Sequence, residues 1–134
     1  MKKKIIEINT FGEKFLDITD LIKALPLEND GMLHLFLPHT SCALCISEAH
    51  DPAAIKDVTE FMKFLAPRDL DFITHTAEGE DDSPSHMKSV LLQQSLSIMV
   101  ESGELVLGTW QGIYLAEFRD DPHSRKLYYK FIKD

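Results

Sequence analysis

Three histidines stand where their side chains could do chemistry. His39 follows a proline at a predicted corner between two strands, and His75 lies between two threonines ahead of an acidic loop. His86 is about the third residue of a helix expected to begin at Ser83. A helix N-terminus disfavours the imidazolium, and neutral imidazole is the form that binds metal. Three histidines with an open position form a known catalytic zinc arrangement, so His39, His75 and His86 are predicted metal ligands.

No compact metal motif of the H-E-x-x-H kind is present, so the ion stays open among zinc, magnesium and manganese. The acidic stretch Glu78–Asp82 has three possible roles. It could be a solvated turn, hold a divalent cation, or orient the histidines from outside the ligand shell. It does not have the alternation of an EF-hand loop.

Two glutamates extend apolar strand faces. Ile113 and Leu115 share a predicted face with Glu117 and Arg119, and the strand over 42–48 ends in the same way at Glu48. Glutamates at a pocket edge could act as general bases, and Arg119 could hold a phosphate or carboxylate. The alternative is that each strand end is exposed to solvent, where charged side chains are common and need no catalytic role.

Alternation and helix-start signals predict the elements that must position these residues. Three helices are expected. The first covers 18–25 with a cap at Thr19 or Asp20, and the second runs from Pro52 to about Ala66 with Asp51 as cap. The third begins at Ser83-Pro84, and its inward stripe is Met87, Val90, Leu91 and Gln94. Strands are expected over 3–10, 32–38, 42–48, 96–100, 105–107, 113–119 and 125–132, with a Ser102-Gly103 hairpin turn and a connector or short strand over 68–73. The prediction is a single α+β domain over 1–134, mainly antiparallel sheet with two substantial helices packed on it.

Composition narrows the function classes. The chain has 134 residues, 44% of them hydrophobic, and a formal net charge of −8. This charge argues against non-specific binding to nucleic acid or anionic lipid. No apolar run is long enough to cross a bilayer, and no secretion signal is recognisable, so a cytoplasmic location is expected.

The two cysteines, Cys42 and Cys45, resemble a C-x-x-C motif. In a strand, however, residues three apart point to opposite faces. The two thiols are therefore expected to be small core side chains rather than a disulfide or metal pair.

Four blocks of the sequence resemble the YjbQ-like family in content and order. They are His39-Thr40-Ser41, Ser47-Glu48-Ala49 with Asp51-Pro52, Gly79-Glu80-Asp81-Asp82 with Pro84 and His86, and Gly108-Thr109-Trp110-Gln111-Gly112-Ile113-Tyr114 with Glu117 and Arg119. The resemblance implies a homotrimer of α+β subunits and a secondary thiamine-phosphate synthase activity. It also places the family's recurrent polar residues at His39, Glu48, His75, His86, Glu117 and Arg119.

Three functions follow as hypotheses. In the first, the enzyme joins a pyrimidine-methyl pyrophosphate to a thiazole phosphate. A metal and Arg119 would then assist the leaving group, and Trp110 and Gln111 would contact substrate. In the second, a metal-dependent hydrolase acts on a small anionic molecule, with Glu48 or Glu117 as base. In the third, a non-enzymatic trimer binds a ligand. A small phosphorylated molecule is the expected partner in the first.

Overall fold

Eight strands and three helices make up residues 4–134, which the computed structural model describes. In chain order they are β1 (Lys4–Thr10), β2 (Lys14–Asp17), α1 (Thr19–Lys23), β3 (Gly31–Phe36), β4 (Cys42–Glu48), α2 (Pro52–Leu65), α3 (Asp82–Leu91), β5 (Ser95–Glu101), β6 (Glu104–Leu105), β7 (Gln111–Glu117) and β8 (His123–Lys133). The α+β class with mainly antiparallel pairing and two substantial helices is confirmed. No helix in this part of the chain has the length and apolar character needed to span a bilayer.

The strands form two antiparallel sheets packed face to face. One has the order β1-β8-β3-β5-β6 and the other the order β2-β7-β4. Alternate residues point to opposite faces of a strand, so Leu33 and Leu35 of β3 meet Ile113 and Leu115 of β7 between the sheets. On the other face of the smaller sheet, a second cluster packs α2 through Met62. Strand β7 is therefore buried on both faces, which fixes its end at Glu117 deep in the molecule.

Short sequence motifs predicted the positions of most helices, strands and turns correctly. Asp51 caps α2 by accepting a hydrogen bond from the Ala53 amide at 3.0 Å, and Pro52 is the first helical residue, as predicted. Ser102 and Gly103 have φ angles of 50° and 79°, the left-handed pair that a two-residue hairpin needs. Gly112 allows a close approach, because a Cβ there would lie 2.6 Å from the Ala49 Cβ.

Several boundaries and faces differ from the predictions. Strand β2 was not predicted, because its four residues are too few for a clear alternation. The first strand was predicted to begin at residue 3, and Lys3 lies outside the described residues. Helix α1 begins at Thr19 without a side-chain cap, so the predicted caps at Thr19 and Asp20 are wrong. Residues 68–73 form turns and no strand.

Helix α3 buries a polar face, and the inward stripe predicted for it is wrong at Val90 and Leu91. Val90 and Leu91 are 80% and 59% exposed, whereas Lys88 and Ser89 are buried. The Lys88 ammonium lies 2.8 Å from Glu13 Oε2 and 5.3 Å from the centre of the Phe118 ring. Because this charge is paired, the helix can turn its polar residues inward, which apolar periodicity does not reveal. The helix also begins at Asp82, one residue before the predicted cap.

Candidate metal site and adjoining cavity

An open cavity of about 750 Å³ lies beside α3. The structure brings His39, His75 and His86 together in its wall, although they come from different segments of the chain. The remaining lining residues are polar or aliphatic: Thr40, Ser83, Ser89, Val90, Leu92 and Gln94. None of the described residues that line it is a lysine or an arginine.

His75, Asp82 and His86 form a compact group of potential metal ligands. The Nε2 atom of His75 lies 2.8 Å from Oδ2 of Asp82, and the Nε2 atom of His86 lies 3.2 Å from Oδ1. One donor atom from each residue can be chosen so that all lie within 4.8 Å of one another. Two imidazoles and a carboxylate are a donor set that binds zinc, iron or manganese in proteins.

His86 makes one hydrogen bond and one close contact with a carboxylate, and together they bear on its protonation. Its Nδ1 lies 2.8 Å from the carbonyl oxygen of Thr40, which can only accept, so Nδ1 carries a hydrogen. In the neutral ring, Nε2 would then present a lone pair to the Asp82 carboxylate at 3.2 Å. That contact is favourable only with a second ring proton or with a cation between the two groups. Because His86 lies in the first turns of α3, the helix dipole opposes the imidazolium.

Asp82 is the residue that the sequence analysis did not single out as a ligand. It was considered only as part of the acidic stretch, yet its side chain is 4% exposed and contacts both histidines. A signal was available, because Asp82 and His86 are four residues apart at a helix start and so share one helix face. The predicted helix began at Ser83-Pro84 and left Asp82 outside it, which hid this relationship.

Arg119 holds the acidic loop in place beneath the histidines. Its guanidinium donates to Asp81 Oδ2 and Asp82 Oδ1, each at 2.9 Å, and to the Glu78 carbonyl oxygen at 3.0 Å. The hydrogen bond to Asp81 is the main reason that the pKa of Arg119 is raised. Burial raises the pKa of Asp81, but hydrogen bonds from the Asp120 amide and from Arg119 outweigh it and lower the net value. Three of the five N–H groups of Arg119 thus bind protein oxygens, and its role as a phosphate or carboxylate holder stays a prediction.

The predicted third ligand, His39, lies in the cavity wall but outside the group formed by the other two histidines and Asp82. Its Nε2 accepts a hydrogen bond of 3.0 Å from the backbone amide of Lys126. The lone pair that a metal would need on this nitrogen is therefore engaged. The compact donor group in the structure is therefore His75, Asp82 and His86, with His39 outside it, and metal binding by these residues stays a prediction.

Glu117 is fully buried and does not reach the cavity. Its carboxylate accepts hydrogen bonds from the Arg125 side chain at 2.7 and 2.6 Å, from the Thr10 hydroxyl and from two backbone amides. Burial raises the pKa of Glu117, but the hydrogen bonds from Arg125 and Thr10 prevail and lower it. The expected general-base role is contradicted, because every approach to this carboxylate is filled by protein.

Glu48, Trp110 and Gln111 lie together at the other end of the smaller sheet. Strand register pairs Glu48 with Gln111, whereas Cys42 pairs with Glu117, and six residues of strand span about 20 Å. Within one chain, the structure does not bring the predicted base Glu48 to the histidines. Instead its carboxylate accepts from the Asp51 amide at 3.2 and 3.3 Å, ahead of α2.

The predicted substrate contacts Trp110 and Gln111 have local partners. Trp110 is 63% exposed and stacks on His50, so it is not a core residue. Gln111 Oε1 accepts a hydrogen bond from the Gly108 amide at 2.7 Å, which closes a tight bend ahead of β7. Contact between these side chains and a substrate stays a prediction.

The two cysteines are free thiols, as expected. Burial raises the pKa of Cys42 to about 12 and that of Cys45 to about 11. Both therefore stay protonated near neutral pH and are poor nucleophiles or ligands. The strand geometry that separates their side chains accounts for the absence of a bond between them.

A family profile described as UPF0047 protein YjbQ-like matches residues 4–134. The chain belongs to this family. It is 42% identical over 111 residues to the UPF0047 protein YjbQ of Salmonella typhimurium, covering 83% of this chain and 80% of that protein. It is 36% identical over 128 residues to a UPF0047 protein of Synechocystis, covering 93% and 87%.

Solved structures of similar proteins have the same fold. A conserved hypothetical protein of Thermus thermophilus is 36% identical, with a TM-score of 0.87 over 96% of this chain and 99% of that one. An uncharacterized conserved protein of the YjbQ/UPF0047 family from Clostridium acetobutylicum is 35% identical, with a TM-score of 0.82 and the same coverage. The family resemblance carried by the four sequence blocks is thereby confirmed.

Proposed function

We propose that this UPF0047 protein binds one divalent transition-metal ion through His75, Asp82 and His86 and hydrolyses a small molecule held in the adjoining cavity. The observation that carries the proposal is the approach of His86 Nε2 to the Asp82 carboxylate while Nδ1 donates to Thr40. A metal ion satisfies both groups without an imidazolium at the helix start.

The donor set favours zinc among the three ions considered. Imidazole nitrogens suit zinc, whereas magnesium prefers oxygen ligands and retains water. The two contacts of Asp82, 2.8 and 3.2 Å, are near the roughly 3.4 Å that separates tetrahedral ligands placed about 2.1 Å from zinc. When bound, such an ion supplies Lewis acidity and lowers the pKa of a coordinated water to about 7.

The protein's own residues prepare this site in three ways. The Thr40 carbonyl fixes the tautomer and orientation of His86. Arg119 holds Oδ1 of Asp82. Val90 and Leu92 give the cavity an aliphatic wall that can contact the non-reacting part of a substrate.

The absence of lysine and arginine from the described lining residues limits the charge of the substrate. A multiply charged phosphate ester would usually meet such side chains. The proposed substrate is therefore a small molecule with a single anionic or polar group placed near the ion.

Thiamine-phosphate synthase activity is the second candidate. The cavity supports it by its volume of about 750 Å³ and its aliphatic wall, which suit a flat heterocycle beside a cation that could assist pyrophosphate departure. Two features weigh against it: the described lining has no basic side chain, and two of the three ligands are nitrogens.

We also propose the homotrimer that the resemblance implies. The outer face of the five-stranded sheet carries several exposed apolar side chains beside His34, Ser97 and Lys130, whereas a solvated sheet face is normally polar. Met32 pairs with Met99 and Ile132 across the strands, and Phe36 and Ile5 lie on the same face; four of these five are 45–62% exposed. Sedimentation of Met99→Lys with Phe36→Lys is expected to show a monomer, and retention of the wild-type assembly would exclude this face as the interface.

The metal proposal is tested by titrating metal-free protein with zinc in a calorimeter. Wild type is expected to bind one ion. His75→Ala and His86→Ala are each expected to lower the zinc affinity by more than about 100-fold, because loss of a residue outside the ligand shell costs only roughly 10–100-fold. His34→Ala is the matched control, because His34 contacts Ser97 and does not line the cavity. Unchanged zinc affinity in the site variants would reject the metal site.

The reaction is tested on the zinc-loaded protein with p-nitrophenyl acetate and p-nitrophenyl phosphate, and separately with the two thiamine precursors and magnesium. Hydrolysis that disappears on chelation and returns with zinc is the expected result. Condensation of the precursors without hydrolysis would favour the synthase. Full activity after exhaustive chelation would reject a metal mechanism, and no turnover in any assay would favour the ligand-binding trimer.

A further inference from the structure

His39 is held in one tautomer by the backbone around it. The residue follows Pro38, and its amide donates to the Leu37 carbonyl oxygen at 2.9 Å, which fixes the corner after β3. The Lys126 amide of β8 then donates to Nε2 at 3.0 Å. A backbone N–H can only donate, so Nε2 is unprotonated and the single ring hydrogen lies on Nδ1.

The surroundings of His39 favour this neutral ring. Burial, and then the positive charge of Arg125, lower the pKa of His39. Glu117 has the opposite electrostatic influence, but its carboxylate is already paired with Arg125. The ring therefore stays uncharged at neutral pH and presents a hydrogen-bond donor instead of a charge.

The donor on Nδ1 has no hydrogen-bond partner among the described residues, and two residues that line the same cavity each carry an unpaired buried polar atom. Ser89 Oγ and Gln94 Oε1 are buried without a hydrogen-bond partner, and both residues line the cavity with His39. Gln94 Nε2 faces the Cys42 and Ser89 carbonyl oxygens, so the orientation of that amide is fixed. Neither of these two atoms is accessible from the cavity, so a polar ligand there is indicated by the His39 donor, whose ring lines the cavity together with His75 and His86.

We propose that His39 is a catalytic residue that donates the Nδ1 hydrogen bond to a carbonyl or phosphoryl oxygen of the substrate. The inference rests on the proposed function, because it places the substrate beside the ion held by His75, Asp82 and His86. No proton is transferred: the N–H bond stays intact and stabilises negative charge that develops on the oxygen. A neutral imidazole holds its remaining proton far more tightly than an imidazolium does, and enzymes use it to polarise a carbonyl in this way.

This role explains why His39 lies near the ligands without joining them. A metal ligand must offer a lone pair, but the lone pair of His39 is occupied by Lys126. A donor must offer a hydrogen, and the same contact directs the hydrogen to Nδ1. The substrate class is thus one with an oxygen that becomes more negative in the transition state, such as an ester, an amide or a monoanionic phosphoryl group.

The first test is nitrogen NMR of the histidine rings in the full chain, before and after zinc is added. The Nδ1–H tautomer is expected for His39 in both states, while the ring nitrogens of His75 and His86 shift on zinc binding. An Nε2–H tautomer of His39 in the metal-free protein would overturn the inference, whatever zinc does. A metal-type shift of His39 would overturn it as well.

The second test uses acetate as the probe oxygen ligand and cobalt in place of zinc, with binding followed by the visible cobalt bands. His39→Ala is expected to bind cobalt as wild type does, within about twofold, and to bind acetate about tenfold more weakly. His39→Asn is expected to restore most of the acetate affinity, because its side-chain amide places a donor near the position of Nδ1. His34→Asn is the matched control.

The outcomes separate the inference from the proposed function. If wild type binds neither zinc nor cobalt, the metal site itself is wrong. If the ions bind at His75 and His86 but His39→Ala binds acetate as tightly as wild type, the metal proposal stands and the role of His39 is rejected.

Discussion

Arg119 Nη1 lies 2.9 Å from Oδ1 of Asp82, the same carboxylate oxygen that faces His86 Nε2. The arginine thus orients the one acidic member of the candidate metal site without lining the cavity. It also ties that site to Asp81 and to the Glu78 carbonyl. The acidic stretch therefore has an organising role, and Asp82 joins the ligand group itself.

Replacing Arg119 is expected to weaken zinc binding while leaving the three ligands in the chain. Arg119→Ala should lower zinc affinity by about 10–100-fold, the usual effect of losing an outer-shell partner. Calorimetric titration measures the change. Arg68→Ala is the control, since Arg68 pairs with Asp120, Glu13 and Glu80 and contacts none of the three candidate ligands. Equal losses in the two variants would mean that the effect is general destabilisation.

Glu117 is expected to support stability rather than catalysis. Glu117→Ala leaves Arg125 buried without its partner and should lower the free energy of unfolding by about 3–5 kcal/mol, measured by urea denaturation. Glu117→Gln keeps the shape and should show that the charge is required. A variant that keeps wild-type stability but loses hydrolysis would restore the predicted general base.

The lowered pKa values of Glu117 and Asp81 predict acid sensitivity. Each carboxyl holds its proton less tightly in the folded state, so the unfolded state binds more protons as the pH falls. Their contribution is complete above the ordinary carboxyl pKa of about 4 and is lost as the pH falls through the lower folded values. Urea midpoints measured from pH 7 to pH 3 should decrease most steeply below about pH 4, and less steeply in Glu117→Gln.

The Lys88–Glu13 pair is expected to anchor α3. Lys88→Ala leaves Glu13, whose side chain is 8% exposed, with only the Arg68 guanidinium 3.5 Å away, and should cost about 1.5–3 kcal/mol of unfolding free energy. Lys88→Met combined with Glu13→Gln removes both charges and should recover part of that loss. Thermal and urea unfolding of the two variants measure the difference. Wild-type stability in Lys88→Ala would show that the pair contributes nothing.

The thiols are expected to be inert in the folded protein. With pKa values of about 12 and 11, Cys42 and Cys45 should not react with a disulfide reagent at pH 8 until the chain unfolds. Stability should also fall as the pH rises above about 9, because unfolded thiols lose protons that folded thiols retain. Stoichiometric labelling of both thiols in native protein at pH 8 would contradict the raised pKa values of buried Cys42 and partly buried Cys45.

Glu48 is expected to act on the start of α2. Glu48→Ala should lower stability by about 1 kcal/mol, as for loss of a helix-start hydrogen bond, and leave zinc affinity unchanged. Asp51→Ala is the matched variant, since it removes the adjacent cap. Loss of hydrolysis in assembled Glu48→Ala, without loss of stability, would instead indicate that a neighbouring subunit supplies this carboxylate.

Sequence alone determined the features that depend on neighbouring residues. Alternation predicted β3, β4, β5, β7 and β8, and Asp51-Pro52 fixed the start of α2, because strand faces and helix caps are set within a few residues. The same local evidence selected His75 and His86 and predicted two unlinked cysteines. Strand β2 has only four residues, too few for the alternation of apolar and polar residues to be recognised.

The tertiary structure decided which polar groups meet. Asp82 replaced His39 as the third candidate ligand because a backbone amide of β8, 87 residues away, occupies the His39 lone pair. Glu117 became part of a buried ion pair because β7 is covered on both faces, and Glu48 was placed a strand length away by the register with β7. Hydrogen bonds and ion pairs need partners at defined distances, and those partners come from segments that only folding brings together.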